Sequence, residues 1–180
     1  ILQEDVANFE AKIRAHLDIE HAIGVSDGTN AILLGLRASG VGPADEILLP
    51  SHAFIAAAQS IHFSGAKPVI VDIDPDDWLL SAESIEANIN ERTTAIMPVH
   101  VNGRICNMEK ICEVAERRGL RVFEDAAQAL GARFDGAPAG YFGEWATFSF
   151  YPSKTLGSFG DAGGLVTRHD DIAEKVMSMR

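Results

Sequence analysis

The strongest constraint on this chain is an alternation. Short runs rich in apolar and β-branched residues recur between helical patterns of about ten residues. The strand-like runs fall at 21–25, 46–50, 67–72, 93–99, 120–125, 145–150 and 164–167. Helical patterns cover 4–17, 31–39, 81–90 and 108–118, and another leads from Phe54 to near Gly65. In the first of them Val6, Phe9, Ile13 and Leu17 share one face, and Ser81 caps the fourth. Parallel neighbours need a crossover, which a helix supplies. The pattern therefore predicts an α/β fold, a three-layer αβα sandwich with a mainly parallel sheet. The stretch 67–72, KPVIVD, reads as a buried strand, and 131–143, GARFDGAPAGYFG, as a glycine-rich link. With 47% apolar residues over 180 positions, the chain can bury a sizeable core in one domain or little more.

The formal net charge of -11 argues against a nucleic-acid partner and against an anionic membrane surface. No stretch approaches the roughly 20 apolar residues of a membrane span, and the first residues do not form a signal peptide. Cys106 and Cys112 are too few and wrongly placed for a disulfide framework or a zinc site, so a reducing, cytoplasmic setting is the default. Asp72, Asp74, Asp76 and Glu83 fall at calcium-loop spacing. Asp77 replaces the glycine that the sharp turn needs, and Pro75 intrudes, so the run reads as a solvated acidic turn and no metal is expected. The chain opens on Ile1 and closes inside a helical pattern, as a fragment of a longer protein would.

Candidate chemistry centres on 148–164, FSFYPSKTLGSFGDAGG. Lys154 is the only basic residue in this run and lies five positions after Ser149. A serine hydroxyl can hold an anion, and an amine in a tight, partly dry loop becomes a nucleophile towards carbonyls. The pair suggests a Schiff-base lysine beside a phosphate site; a surface loop that happens to hold a lysine is the alternative. Asp125 and Gln128 lie at or just beyond the end of the run 120–125, where ligands of α/β sheets bind. A carboxylate there can keep a pyridine nitrogen protonated, and an amide can bond a phenolic oxygen. Taken singly, Asp125 reads more readily as a helix cap or an ion-pair partner. Gly28 and Thr29, within SDGTN, open a helix and offer an anion site, or an ordinary cap. Phe54 is placed to lie on a flat ring or to fill the core, and His100 ends a strand as a functional or a structural histidine.

Together, SDGTNA, PSHAFIAAA, EDAAQALGA and SFYPSKTLGSFGDAGG resemble, in order and spacing, the DegT/DnrJ/EryC1/StrS sugar aminotransferases. These are fold-type I pyridoxal-phosphate enzymes of the aspartate aminotransferase superfamily. The resemblance runs from about Phe9 to Arg180. It implies that residues 1–180 form the cofactor-binding large domain, without the C-terminal small domain. It also implies that Lys154 carries pyridoxal 5'-phosphate, with Asp125 on the ring nitrogen, Gln128 on the phenolic oxygen, Ser149, Gly28 and Thr29 on the phosphate, and Phe54 stacked on the ring. The implied reaction moves an amino group from L-glutamate to a keto sugar linked to a nucleoside diphosphate, through pyridoxamine 5'-phosphate, in a homodimer. Asp27 stands where the family commonly has Ser or Asn, and its side chain is expected to point away from the phosphate. Two alternatives accompany this reading. A pyridoxamine-phosphate-dependent sugar dehydratase would replace the lysine with histidine, so Lys154 counts against it. A truncated homologue without turnover would be regulatory or structural.

Overall fold

A computed structural model describes residues 2–180, with side chains from Glu4 onward. The elements run α1 (Leu2–Leu17), β1 (His21–Val25), α2 (Gly28–Ala38), β2 (Glu46–Pro50), α3 (Ile55–Phe63), β3 (Lys67–Val71), α4 (Ala82–Asn88) and β4 (Thr93–Ile96). Then come α5 (Met108–Arg118), β5 (Arg121–Asp125), β6 (Arg133–Phe134), β7 (Ala137–Pro138), β8 (Trp145–Ser149), β9 (Gly163–Thr167) and α6 (Asp170–Met179).

Seven strands form one sheet in the order β1-β9-β8-β5-β4-β2-β3. The pairs β2–β3, β2–β4, β4–β5 and β5–β8 are parallel, while β9 is antiparallel to both of its neighbours. It follows that β1 runs with β8, and β9 alone runs against the rest. The cause lies in the chain between β8 and β9, which holds glycines and turns but no helix, so it returns directly instead of crossing over. The consequence matters for the site. The C-terminal ends of β1, β2, β4, β5 and β8 and the N-terminal end of β9 all meet at one edge of the sheet.

Helices cover both faces, giving the three-layer arrangement expected from the alternation. On one face α2 packs against β8, β9, α3 and α6, over the stacked rings of Phe123 and Trp145, 4.7 Å apart. Gly35 is what lets α2 approach so closely, since a Cβ there would lie 2.8 Å from the Trp145 ring. On the other face Ile13 and Leu17 of α1 join Ala146, Phe148 and Val166 in a second apolar cluster. Val6 is largely exposed, so the α1 stripe narrows at its start.

Two local expectations are corrected. The strand β3 is not buried: Ile70 is 61% exposed, because β3 forms an outer edge of the sheet. Its β-branched run reflects strand preference more than burial. The stretch 131–143 contains a two-stranded hairpin, β6–β7, turned by Asp135-Gly136 with both φ positive (48° and 83°). Asp-Gly is a strong hairpin signal that the glycine content masks. The acidic run after β3 is a turn in which carboxylates accept from nearby backbone: Asp74 from the Asp76 amide and Asp77 from the Leu79 amide. Among the described residues no helix is long and apolar enough to cross a membrane.

Candidate active site

At the shared edge of the strands a cleft of about 610 Å³ opens. Its wall carries Lys154, Asp125, Gln128 and Ser149, together with Gly28 and Thr29 at the start of α2, and Phe54 at the start of α3. Residues from four separate stretches of the chain are thus brought to one place by the sheet order.

The start of α2 is shaped by Asp27. Its backbone carbonyl accepts from Ala31 N–H (3.0 Å), and its carboxylate accepts from the Asn30 amide (2.8 Å), the Asn30 side chain (2.7 Å) and Ser26 Oγ (3.0 Å). Partial burial pushes its pKa up, but these bonds outweigh it and hold the carboxyl below the ordinary aspartate range. Asp27 is therefore an N-cap whose charge is engaged by its own turn, although the residue still borders the cleft. Gly28 faces Ser149 so closely that a Cβ on it would stand 3.0 Å from Ser149 Cβ. From the second half of α3, Ser60 Oγ donates to the Thr29 carbonyl at 3.1 Å and ties that helix to the start of α2.

Gly163 holds this turn from below. It pairs with Val25 on one side and Ser149 on the other, and a Cβ there would overlap the Asp27 carbonyl carbon and stand 2.7 Å from the Gly28 nitrogen. Here the backbone itself would have to give way. Gly163→Ala is expected to displace the 26–30 turn and to weaken phosphate binding by at least about tenfold, with a cost in stability of about 1–3 kcal/mol. Phosphate protection in thermal melts of the variant and the parent protein checks this.

Asp125 is 4% exposed. Both of its backbone groups are bonded to the segment after β4, its own N–H to the Pro98 carbonyl (2.9 Å) and His100 N–H to its carbonyl (3.0 Å). One carboxylate oxygen accepts from Ala127 N–H at 3.1 Å; the other has no hydrogen bond among the described residues. Burial pushes the pKa of Asp125 up, against the Ala127 bond and the nearby charges of His100 and Lys154. A cation placed against the free oxygen would reverse that balance. Gln128 is half-buried, and its Oε1 accepts from Asn102 N–H at 2.8 Å. Asn102 has φ 56°, so the Gln128 side chain is anchored by a turn in the left-handed region. That bond commits the carbonyl oxygen and leaves the amide NH₂ to donate elsewhere.

Lys154 sits in a loop closed on itself: Ser158 N–H (2.8 Å) and Oγ (2.7 Å) both donate to the Phe150 carbonyl, and Lys154 N–H donates to the Tyr151 carbonyl (2.8 Å). The Lys154 side chain is half-buried and makes no ion pair among the described residues. Phe54 is 67% exposed, so the core-filling alternative for it is excluded. Truncating such a ring costs the fold within about 0.5 kcal/mol. Phe54→Ala is expected to keep the parent melting curve and to bind a flat aromatic ligand of this cleft about tenfold more weakly; fluorescence titration with pyridoxal phosphate measures it.

Behind the cleft, His100, which the sequence offers as a functional or a structural histidine, pairs with a carboxylate that the sequence did not single out. His100, fully buried, borders the cleft and places Nε2 3.0 Å from Glu124. Glu124 is also fully buried, and its carboxylate accepts from the Gly140 (2.9 Å), Phe142 (2.7 Å) and Gly143 (2.6 Å) amides. Burial opposes a charge on His100, but the Cys106 and Glu124 side chains outweigh it and raise its pKa. The position of His100 at a strand end was a visible signal; the partnership with Glu124 was not.

The donors fit a small, flat, dianionic ring compound. Helix-start amide and hydroxyl groups stand ready for a dianion, an unbonded carboxylate oxygen of Asp125 for a ring cation, an amine for a carbonyl and an exposed phenyl ring for a flat face. Among the described residues no group of three metal-ligating side chains is assembled to hold a metal ion.

The model of the DegT/DnrJ/EryC1/StrS aminotransferase family matches residues 2–180. A pleiotropic regulatory protein of Geobacillus stearothermophilus is 46% identical over the whole chain, which covers 48% of that protein. GDP-perosamine synthase of Caulobacter vibrioides is 45% identical over 97% of the chain and 47% of its own length. Among solved structures, S. venezuelae DesV in complex with a ketimine intermediate superimposes with a TM-score of 0.94 at 43% identity, over 97% of this chain and 47% of that one. The chain thus spans about half the length of the curated relatives it matches.

Proposed function

The chain belongs to the DegT/DnrJ/EryC1/StrS aminotransferase family, and from that premise we propose that it forms the large, cofactor-binding domain of a pyridoxal-phosphate-dependent sugar aminotransferase. The reaction moves an amino group from a donor, L-glutamate, to a keto sugar carried on a nucleoside diphosphate. The observation that carries this reading is the convergence of Lys154, Asp125, Gln128, Ser149 and the α2 start on one cleft. Relatives named as a GDP-perosamine synthase and as a dTDP-3-amino-3,4,6-trideoxy-alpha-D-glucose transaminase support the substrate class.

Pyridoxal phosphate, when bound, supplies a carbonyl carbon for amines and a ring that withdraws electrons. The chain supplies the rest. Gly28, Thr29 and Ser149 hold the phosphate, with the positive end of the α2 dipole behind it. Asp125, as a carboxylate, keeps the ring nitrogen protonated. The Gln128 amide donates to the phenolic oxygen, and Phe54 covers one face of the ring. Lys154 Nζ is the covalent anchor and, as a free amine, the group that takes a proton from the amino-bearing carbon and returns it.

The name of the Geobacillus relative favours a second, regulatory reading. The complete set of chemically competent residues in the cleft weighs against it, because a site released from catalysis has no physical need of both a free amine and a buried carboxylate. Exposed Tyr151, Leu156 and Phe159 in the Lys154 loop support a second copy as partner, completing a homodimer. The free cysteines support a reducing, cytoplasmic setting.

Incubation with pyridoxal phosphate, borohydride reduction and peptide mass mapping tests the cofactor reading. A pyridoxyl group on Lys154 is the expected result. A folded protein that takes no label, or takes it at a different lysine, overturns the reading.

A further inference from the structure

Thr147, in the middle of β8, is fully buried, and its hydroxyl has no hydrogen-bond partner among the described residues. Such a group has given up water and gained nothing in return, which is uncommon enough to call for an explanation.

Its surroundings indicate which partner. The strands β5 and β8 pair in parallel with Phe123 opposite Trp145, Glu124 opposite Ala146 and Asp125 opposite Thr147. Register partners on neighbouring strands project to the same face. The stacking of Phe123 on Trp145, with an interplanar angle of 9°, shows this directly. Two residues further along, Asp125 and Thr147 project to that same face, and two further again Ser149 reaches the cleft. On its other side Thr147 is paired with Leu165, which is apolar. Of its two strand neighbours, the polar one is therefore Asp125, whose second carboxylate oxygen has no hydrogen bond among the described residues.

We propose that Thr147 is a positioning residue for Asp125: its hydroxyl donates to the Asp125 carboxylate when that group is ionised against a protonated ring nitrogen. The hydroxyl needs only a side-chain rotation, since strand residues occupy more than one χ1 rotamer. The orphan seen here is then the resting form of a bond that forms with the ring in place. This inference rests on the cofactor reading above.

Thr147→Val keeps the shape and removes the hydroxyl; Thr147→Ser keeps the hydroxyl and removes a methyl group. Both are compared with the parent protein in apo melting temperature and in titration with pyridoxal phosphate. The valine variant is expected to melt at the parent temperature or above, because the orphan is gone, yet to bind pyridoxal phosphate about tenfold more weakly. The serine variant is expected to recover most of that affinity, whatever it loses in melting temperature. Parent-like affinity in the valine variant, with the parent still labelled on Lys154, overturns the inference and leaves the cofactor reading intact. Weakened binding in both variants alike assigns Thr147 to packing and also overturns it. A parent protein without label at Lys154 removes the cofactor reading, and the inference with it.

Discussion

Lys154→Ala is expected to abolish borohydride-dependent labelling at this position and to lower amino transfer by about a thousandfold or more. The size follows from two losses at once, the covalent anchor and the proton carrier, where general acid–base catalysis alone contributes about 10²–10⁴. The fold should survive, because the side chain is only half-buried and pairs with no charged group among the described residues. Pyridoxal phosphate should still be held without a covalent bond, since Gly28, Thr29, Ser149 and Phe54 remain on the wall. Equilibrium dialysis separates the two outcomes. Retained ligand without label supports the assignment, and unchanged transfer refutes it.

Asp125→Asn should divide stability from function. The asparagine Oδ1 can still accept from Ala127 N–H, so the turn after β5 is preserved. Without a negative charge the ring nitrogen loses its partner, and amino transfer should fall by about a hundredfold or more. Stability should move the other way. Burial raises the pKa of Asp125 in the folded apo protein above the ordinary aspartate value of 3.8, so folded chains bind more protons than unfolded ones between those values. Stability from this group therefore falls as pH rises above 3.8 through that window. The apo variant should melt higher than the parent at pH 7, and the gap should close as pH drops below 3.8. Melting curves at the two pH values check the sign; a variant less stable than the parent at pH 7 would show that Asp125 is held as a stabilised carboxylate even without a ligand.

The two variants probe opposite sides of one design. Lys154 lies on an irregular, partly exposed loop where a side chain can move, while Asp125 ends a buried strand with both of its backbone groups bonded. A proton carrier needs freedom and a ring-nitrogen partner needs a fixed position. The sheet provides both by ending β5 and β8 side by side, with Asp125 inside β5 and Lys154 in the loop beyond β8.

Most of the site could be read from residue order because its parts are local. Gly28-Thr29 opens a helix, Asp125 closes a strand, and Lys154 is a lone cation in a glycine and aromatic loop; each signal lies within a few neighbouring residues. The hairpin at 133–138 was readable too, through Asp135-Gly136, but the surrounding glycines obscured it. The exposure of β3 was not readable, because a run such as KPVIV suits an edge strand and a central strand equally.

The amino-acid sequence by itself determined the alternation of strands and helices, hence the layered α/β class, and the chemical types available at each strand end. Those properties follow from local periodicity, capping and backbone preference, which act over one or two turns of chain. Only the tertiary structure decided that β9 runs against the other six strands of the sheet, that Gly163 must have no side chain beneath the Asp27 turn, that Glu124 and His100 meet in the interior, and that Thr147 lies beside Asp125 without a bond. Each of these depends on which residues face one another across 14 or more positions of chain. Strand register and packing set that, and no local pattern records it.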